Sequence, residues 1–295
     1  MSNTQLINVS NYNTDRMIFS VPTAGTVPSN GPTITYQRIN ISSKNEDGSV
    51  GELVMPTTRL FSFGVSENIS PDNGSVNGYT FPICLWNKDG ATAEEIAFTK
   101  TFEDIIEKCA CHILDTKEEL DLYDLERSEL KKLSPLYWKK EQKMVNGKKT
   151  MAVVEGSGPT LYSKILYSKK NEKFLTNFYD CNDQPLNPLD LQAKYCYATS
   201  VIKIESIFIG NKISVQVKLY ESVIEPIAVG MKRLITSRPV SCPTMEIKTT
   251  VPVVSDANND CTNEDGGSLD GEEVQVAPPV ALLLEKKKVP IKKKA

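Results

Sequence analysis

The chain has one histidine, His112, and two tryptophans in 295 residues. That histidine falls in a helical segment, so a Ser–His–Asp triad is unattractive. No run approaches the roughly 18 apolar residues needed to span a bilayer. The first ten residues lack the basic and apolar regions of a secretory signal. A P-loop lysine motif and a dinucleotide glycine fingerprint are both missing. Glu155-Gly156-Ser157-Gly158-Pro159 has two glycines without the lysine of a phosphate loop, and it reads as a turn. The seven cysteines (Cys84, Cys109, Cys111, Cys181, Cys196, Cys242 and Cys261) are odd in number and irregularly spaced. A reduced intracellular compartment suits them. Cys109-Ala110-Cys111-His112 lacks the second ligand pair of a closed zinc site, so these are read as helix residues. A two-metal nuclease needs gathered carboxylates, and nothing local gathers them. The expectation is therefore a chain that is not an enzyme, with no catalytic residue, metal or cofactor.

Strong net charge is also missing. The sum is -3, from 34 basic and 37 acidic residues. With 40% apolar and 24% charged residues, the composition excludes a collagen-like, wholly disordered or membrane-embedded chain. The order of charge along the chain is more telling. Residues 1–126 hold 8 basic and 18 acidic residues, residues 127–238 hold 19 and 10, and residues 239–295 hold 7 and 9. A middle segment of +9 between acidic flanks points to an anionic partner, or to charged faces that neutralise one another in the fold.

Phe, Tyr and Trp are absent from residues 241–295. This stretch is acidic over 256–273 and ends in Lys286-Lys287-Lys288-Val289-Pro290-Ile291-Lys292-Lys293-Lys294. It cannot bury enough apolar surface to offset its ordering entropy, so 241–295 is expected to be a disordered tail behind a body of 1–240. The body is β-rich α+β. Strands are predicted at 33–41, 52–55, 59–65 and 80–86. Thr92 with Glu95 forms a capping box for a helix whose apolar face is Ile96, Phe102, Ile105, Ile106, Cys109 and Ile113. A second helix is predicted over 117–133, stopped by Pro135. The clearest element is a hairpin turning at Gly210-Asn211-Lys212. Ile202, Ile204, Ser206 and Phe208 share one face of its first strand. In the second strand Ile213, Val215, Val217 and Leu219 share one face, while Ser214, Gln216, Lys218 and Tyr220 share the other. One apolar and one polar face describe an antiparallel sheet or a small barrel wall.

Aromatic and basic residues interleave in the +9 segment. Leu136-Tyr137-Trp138-Lys139-Lys140 sets two rings beside two lysines. Tyr162 and Lys164 share a strand face, Tyr167 precedes Lys169-Lys170, and Lys194-Tyr195 repeats the pairing. Unpaired bases expose π-faces on which such rings stack, at roughly 1–3 kcal/mol per base, and each phosphate wants a cation. The candidate nucleic-acid-binding residues are Tyr137, Trp138, Lys139, Lys140, Tyr162, Lys164, Tyr167, Lys169, Lys170, Tyr195, Lys203 and Lys218.

Several segments resemble the single-stranded DNA-binding proteins of nucleocytoplasmic large DNA viruses, a group related to the single-stranded DNA-binding protein of short-tailed phages. They are Tyr12-Asn13-Thr14-Asp15-Arg16-Met17, Leu60-Phe61-Ser62-Phe63-Gly64-Val65, Pro135-Leu136-Tyr137-Trp138-Lys139-Lys140, Gly158-Pro159-Thr160-Leu161-Tyr162 and the run from Ile204 to Ser214. The resemblance implies an oligonucleotide/oligosaccharide-binding (OB) fold: an antiparallel barrel elaborated with helices. It further implies a replication protein that coats single-stranded DNA inside the infected cell, with RNA as the other polymer to test. Viral replication proteins would dock on the acidic tail, self-association is compatible, and no membrane is involved. The terminal lysines depart from the phage pattern. The alternative readings are a viral structural or assembly protein and, behind it, a metal-dependent nucleic-acid enzyme.

Overall fold

The structure, a computed structural model, describes residues 3–27, 34–70, 74–145 and 148–227. The expected tail at 241–295, with its acidic stretch, its lysines, Cys242 and Cys261, lies outside the described residues.

The chain opens with two 3-10 turns and the strands β1 (Met17–Phe19) and β2 (Thr23–Val27). Then come β3 (Ile34–Lys44), β4 (Val50–Ser62), β5 (Ser66–Ile69) and β6 (Val76–Cys84). Helix α1 (Ala93–Asp115) follows, and a 3-10 helix spans Arg127–Lys132. Short strands fill the middle: β7 (Leu136–Tyr137), β8 (Lys140–Val145), β9 (Lys148–Val153), β10 (Thr160–Ile165), β11 (Tyr167–Ser168), β12 (Lys173–Phe174) and β13 (Asn177–Asp180). Two long strands, β14 (Cys196–Ile209) and β15 (Ile213–Pro226), complete the described body. It is thus β-rich and mixed, with one α-helix among the described residues.

The pairing of five strands runs in a cycle. β4 pairs with β6, β6 with β10, β10 with β15, β15 with β14, and β14 again with β4. The β10–β15 pairing is parallel and the other four are antiparallel. Two seams are thin: Ser62↔Ile83 alone joins β4 to β6, and Lys164↔Lys218 with Ile165↔Leu219 joins β10 to β15. Alternation puts Leu53, Met55, Phe81, Ile83, Leu161, Ile165, Ile202, Ile204, Val217 and Leu219 in one buried cluster. Ser163 Oγ donates to Phe81 O at 2.9 Å and the Ser200 and Ser222 hydroxyls pair at 2.8 Å, while the buried Ser206 hydroxyl has no partner among the described residues.

Helix α1 begins at the expected capping box: Thr92 Oγ1 accepts from Glu95 N at 3.2 Å, and Glu95 Oε2 accepts from Thr92 N at 2.9 Å. Its buried face includes Phe98, Phe102, Ile105, Ile106, Cys109 and Ile113, but Ile96 in the first turn is exposed. The second helix does not form over 117–133. Asp121 takes a left-handed φ of 58°, Leu122 N bonds back to Lys117 O, and only Arg127–Lys132 winds, as a 3-10 helix. Leu120 is buried and Leu122 and Leu125 pack against the core from this irregular chain, so burial is achieved without the helix.

Two further corrections concern strands. The predicted strands at 52–55 and 59–65 are one strand, β4, running through Pro56. Pro56 sits opposite Val201 beside a register shift, where its missing N–H costs no regular ladder bond. In β14 a second shift falls between Ile204 and Ser206, leaving Glu205 as the extra residue. The bulge turns the buried face to Ile207 and Ile209, and Phe208 instead stacks on Tyr36 with ring centroids 5.0 Å apart.

Candidate nucleic-acid interface

On β10, Leu161, Ser163 and Ile165 are buried, so Tyr162 and Lys164 take the opposite face. Tyr137 of β7 pairs beside β10, and its ring lies edge-on to Tyr162 at 6.3 Å. Lys164 stands opposite Lys218 of β15, and Lys218 stands opposite Lys203 of β14. Tyr137, Tyr162, Lys164, Lys218 and Lys203 therefore form one row across four neighbouring strands. Burial, then the proximity of Tyr137 and Cys84, pushes the Tyr162 hydroxyl pKa up. The phenol thus stays neutral beside any phosphate.

The lysines of this row are engaged by protein groups. Lys203 Nζ lies 2.6 Å from Glu52 Oε1 and 3.9 Å from Glu205 Oε1. Lys218 Nζ lies 3.9 Å from Glu205 Oε2, and its side chain is only 6% exposed. Lys164 Nζ donates to Gln216 Oε1 at 2.8 Å. The polar face of the hairpin is thus a packed ionic layer there, more than a solvated one.

The other predicted residues sort into three places. Tyr137 is 44% exposed, whereas Trp138 packs partly inward, edge-on to Trp86 at 5.6 Å. Trp86 Nε1 donates to Thr99 Oγ1 at 2.9 Å, which ties this pair to α1. Lys139 and Lys140 are exposed next to it. Tyr167 joins Tyr79 and Phe174 in an aromatic cluster, with exposed Lys169 and Lys170 at the turn beyond. Tyr79 shares the strand parity of buried Phe81 and Ile83, so this cluster borders the core. Tyr195 lies in a third place, with Phe61, Phe63 and Tyr197. Arg59 stacks over Tyr197 at 3.7 Å and holds Glu225 at 2.7 Å. The structure thus brings five of the predicted residues into the row and leaves Tyr167 and Tyr195 apart.

Sequence reasoning missed the carboxylates, Glu52 and Glu205, that hold the row's lysines. It also missed that Phe61 and Phe63 partner Tyr195 and that Phe61 meets Tyr197. Phe61 and Phe63 alternate just before Gly64, a spacing that marks a common face. Gly64 has φ +83°, and a Cβ there would lie 2.3 Å from Leu191 O, so glycine is required where the two loops meet.

The cysteine–histidine run has packing roles. Cys109 is buried, which pushes its thiol up to about 12, and His112 stacks on Phe19 at 4.0 Å. Among the described residues no group of three or more His, Cys, Asp or Glu side chains gathers as a metal site. The described residues contain no helix long and apolar enough to cross a membrane.

Comparison with known proteins gives relatives in iridoviruses, which are large DNA viruses. The chain is 22% identical over 238 residues to uncharacterized protein 007R of Invertebrate iridescent virus 3, covering 77% of this chain and 49% of that protein. It is 29% identical over 168 residues to the early 31 kDa protein of Frog virus 3 (isolate Goorha), covering 56% of this chain and 60% of that one. The chain thus spans only about half to three-fifths of the relatives' own lengths. A family model described as "Protein of unknown function (DUF2738)" matches residues 10–265, and the chain belongs to that family.

Proposed function

We propose that this chain is a sequence-independent single-stranded DNA-binding protein of viral DNA replication, repair or recombination, built on an OB barrel. Strands β4, β6 and β10 follow one another and β14 returns beside β4, which is a Greek-key order. Adding β15 gives a five-stranded cycle, thin at two seams, as suits a partly open barrel. OB folds bind oligonucleotides on the face of their second and third strands. In this chain those strands are β6 and β10, and Tyr162 and Lys164 belong to β10.

The row from Tyr137 through Tyr162 and Lys164 to Lys218 and Lys203 carries the reading. Two rings lead into three cations, which is what a stacked base followed by its backbone requires. Each ring would hold about one base, at roughly 1–3 kcal/mol. Glu52 and Glu205 hold Lys203 and Lys218 until phosphates replace them, and neutralising those phosphates would make binding salt-sensitive. The acidic stretch 256–273 would compete for the same cations, and replication partners would dock on it when displaced. The Frog virus 3 relative is named an early protein, which supports a replication role over assembly.

The test is a fluorescence titration with unstructured single strands, using Trp138 next to Tyr137 as reporter, over a series of salt concentrations. Expected are affinity independent of sequence, weaker binding to duplex, and tighter binding once 241–295 is removed. Failure of both the full and the shortened chain to bind at low salt overturns the proposal. Strand cleavage dependent on added divalent metal would replace it with the enzyme reading.

A further inference from the structure

We infer that the β8–β9 hairpin is a clamp that holds the single strand against the cleft beside Tyr137, through a face of lysine and methionine. This rests on the single-strand-binding reading above.

β8 and β9 pair only with each other, as a separate two-stranded sheet. Their register sorts the side chains into two faces. One face carries Glu141, Lys143, Thr150 and Ala152, and it is satisfied internally. Lys143 Nζ lies 3.3 Å from Glu141, and Thr150 Oγ1 donates to Lys143 O. The other carries Lys140, Gln142, Met144, Lys149, Met151 and Val153, with no carboxylate among them. Met144 is 65% exposed, Met151 64% and Val153 42%. A two-stranded hairpin is marginal by itself, and apolar side chains left open on it mark a contact surface.

Charge selects the occupant. The face carries two lysines, Lys140 and Lys149, and no acid. A second copy meeting this face would set lysine against lysine, whereas a polyanion is complementary to it. Methionine suits a strand of any sequence, because its flexible, polarisable side chain adapts to each base and can wedge between neighbours.

Position supplies the rest. Lys140 and Met151 line a cleft of about 550 Å³ together with Tyr137 and Trp138. Glu103 and Glu107 of α1 and Lys131 also line it. Glu107 is ion-paired with Arg127, which holds its carboxyl below the usual range. Burial and the neighbouring Asp104 raise the Glu103 pKa. A strand in the cleft would thus have a base between Tyr137 and Met151 and a phosphate toward Lys140, and would continue along the hairpin face past Met144 and Lys149.

The experiment uses the full chain and an unstructured pyrimidine single strand, with stopped-flow dissociation and a salt series. Lys140→Gln with Lys149→Gln should lower the salt slope by about 1.4, at about 0.7 per phosphate lost on a single strand. Met144→Gln with Met151→Gln should leave that slope unchanged and speed dissociation about five- to tenfold. If both variants keep normal rates and slopes while Tyr162→Ala loses binding, the clamp is overturned and the row stands. If the unaltered chain binds no single strand, both ideas fall. If the methionine variant changes only the oligomeric state, the face joins copies of the chain and the clamp is refuted.

Discussion

Glu205→Gln sets folding against binding. The substitution removes one negative charge 3.9 Å from both Lys203 and Lys218 while keeping the side chain's shape. At an effective dielectric of 20, an ion pair at about 4 Å is worth about 4 kcal/mol before desolvation. Both contacts are long, Glu205 is 23% exposed, and Lys203 keeps Glu52 at 2.6 Å. The net loss of folding stability should therefore be about 1–2 kcal/mol, less than for a fully buried pair. Binding should move the other way. A phosphate about 7 Å from the lost carboxylate is relieved of about 0.6 kcal/mol of repulsion in water, and twice that at half the dielectric. That converts to a gain in affinity of about three- to sevenfold, best read below about 0.1 M salt, where screening is weak. Anisotropy titrations of a labelled single strand, paired with urea melts, measure both. Lower stability with tighter binding is the expected signature. Lower stability with unchanged or weaker binding would show that phosphates do not pass along this row.

Three other perturbations test the frame around the site. Gly158→Ala places a Cβ 2.4 Å from Trp86 Cβ, so it should cost about 1–3 kcal/mol and shift Trp fluorescence; an unchanged Tm and spectrum would refute the close approach. Gly64→Ala combines φ +83° with a Cβ 2.4 Å from Lys194 O, whereas Gly74→Ala has φ +68° but open space. Thermal melts should show Gly64→Ala to be the more damaging, and equal losses would mean that φ alone matters. Burial holds the His112 imidazole below its ordinary value near 6.5, against the pull of Asp115 and Glu119. The folded state then binds the proton less readily than the unfolded chain. His112 stability is complete above about pH 6.5 and falls as pH drops through the folded pKa. His112→Gln should flatten the fall in urea-melt stability from about pH 7 to 5, and an unchanged pH slope would sink the assignment.

Local chemistry was readable from the residues, while its neighbours were not. The capping box at Thr92, the turn at Gly210–Lys212 and the apolar face of α1 depend on side chains a few positions apart, so their spacing announces them. Segment 117–133 misled because its leucines are also buried by an irregular chain. Ser206 and Phe208 were assigned to the wrong face because the bulge at Glu205 is set by pairing of β14 with β15, which alternation cannot register. Tyr162 was separable from Tyr167 by strand parity. That Tyr137 would stand beside Tyr162, and Tyr195 beside Phe61, required knowing which strands become neighbours.

The same limit applies to charge. A +9 middle segment is a sum over sequence, but a phosphate meets what remains after the fold has paired it. Lys203 is held by Glu52, and Arg127 by Glu107, both acids of the first 126 residues. Lys218 is buried against Glu205. The basic surplus is therefore partly consumed where β14 and β15 cross the row. It stays exposed at Lys139 and Lys140, at Lys149 on the hairpin, and at Lys169 and Lys170. On the proposed reading, an approaching polyanion would be drawn first to those exposed lysines and would reach the row only by displacing carboxylates. Long-range attraction and tight holding would then fall to different lysines. Neutralising Lys139 and Lys140 should slow association most, whereas changing Glu205 should act mainly on dissociation.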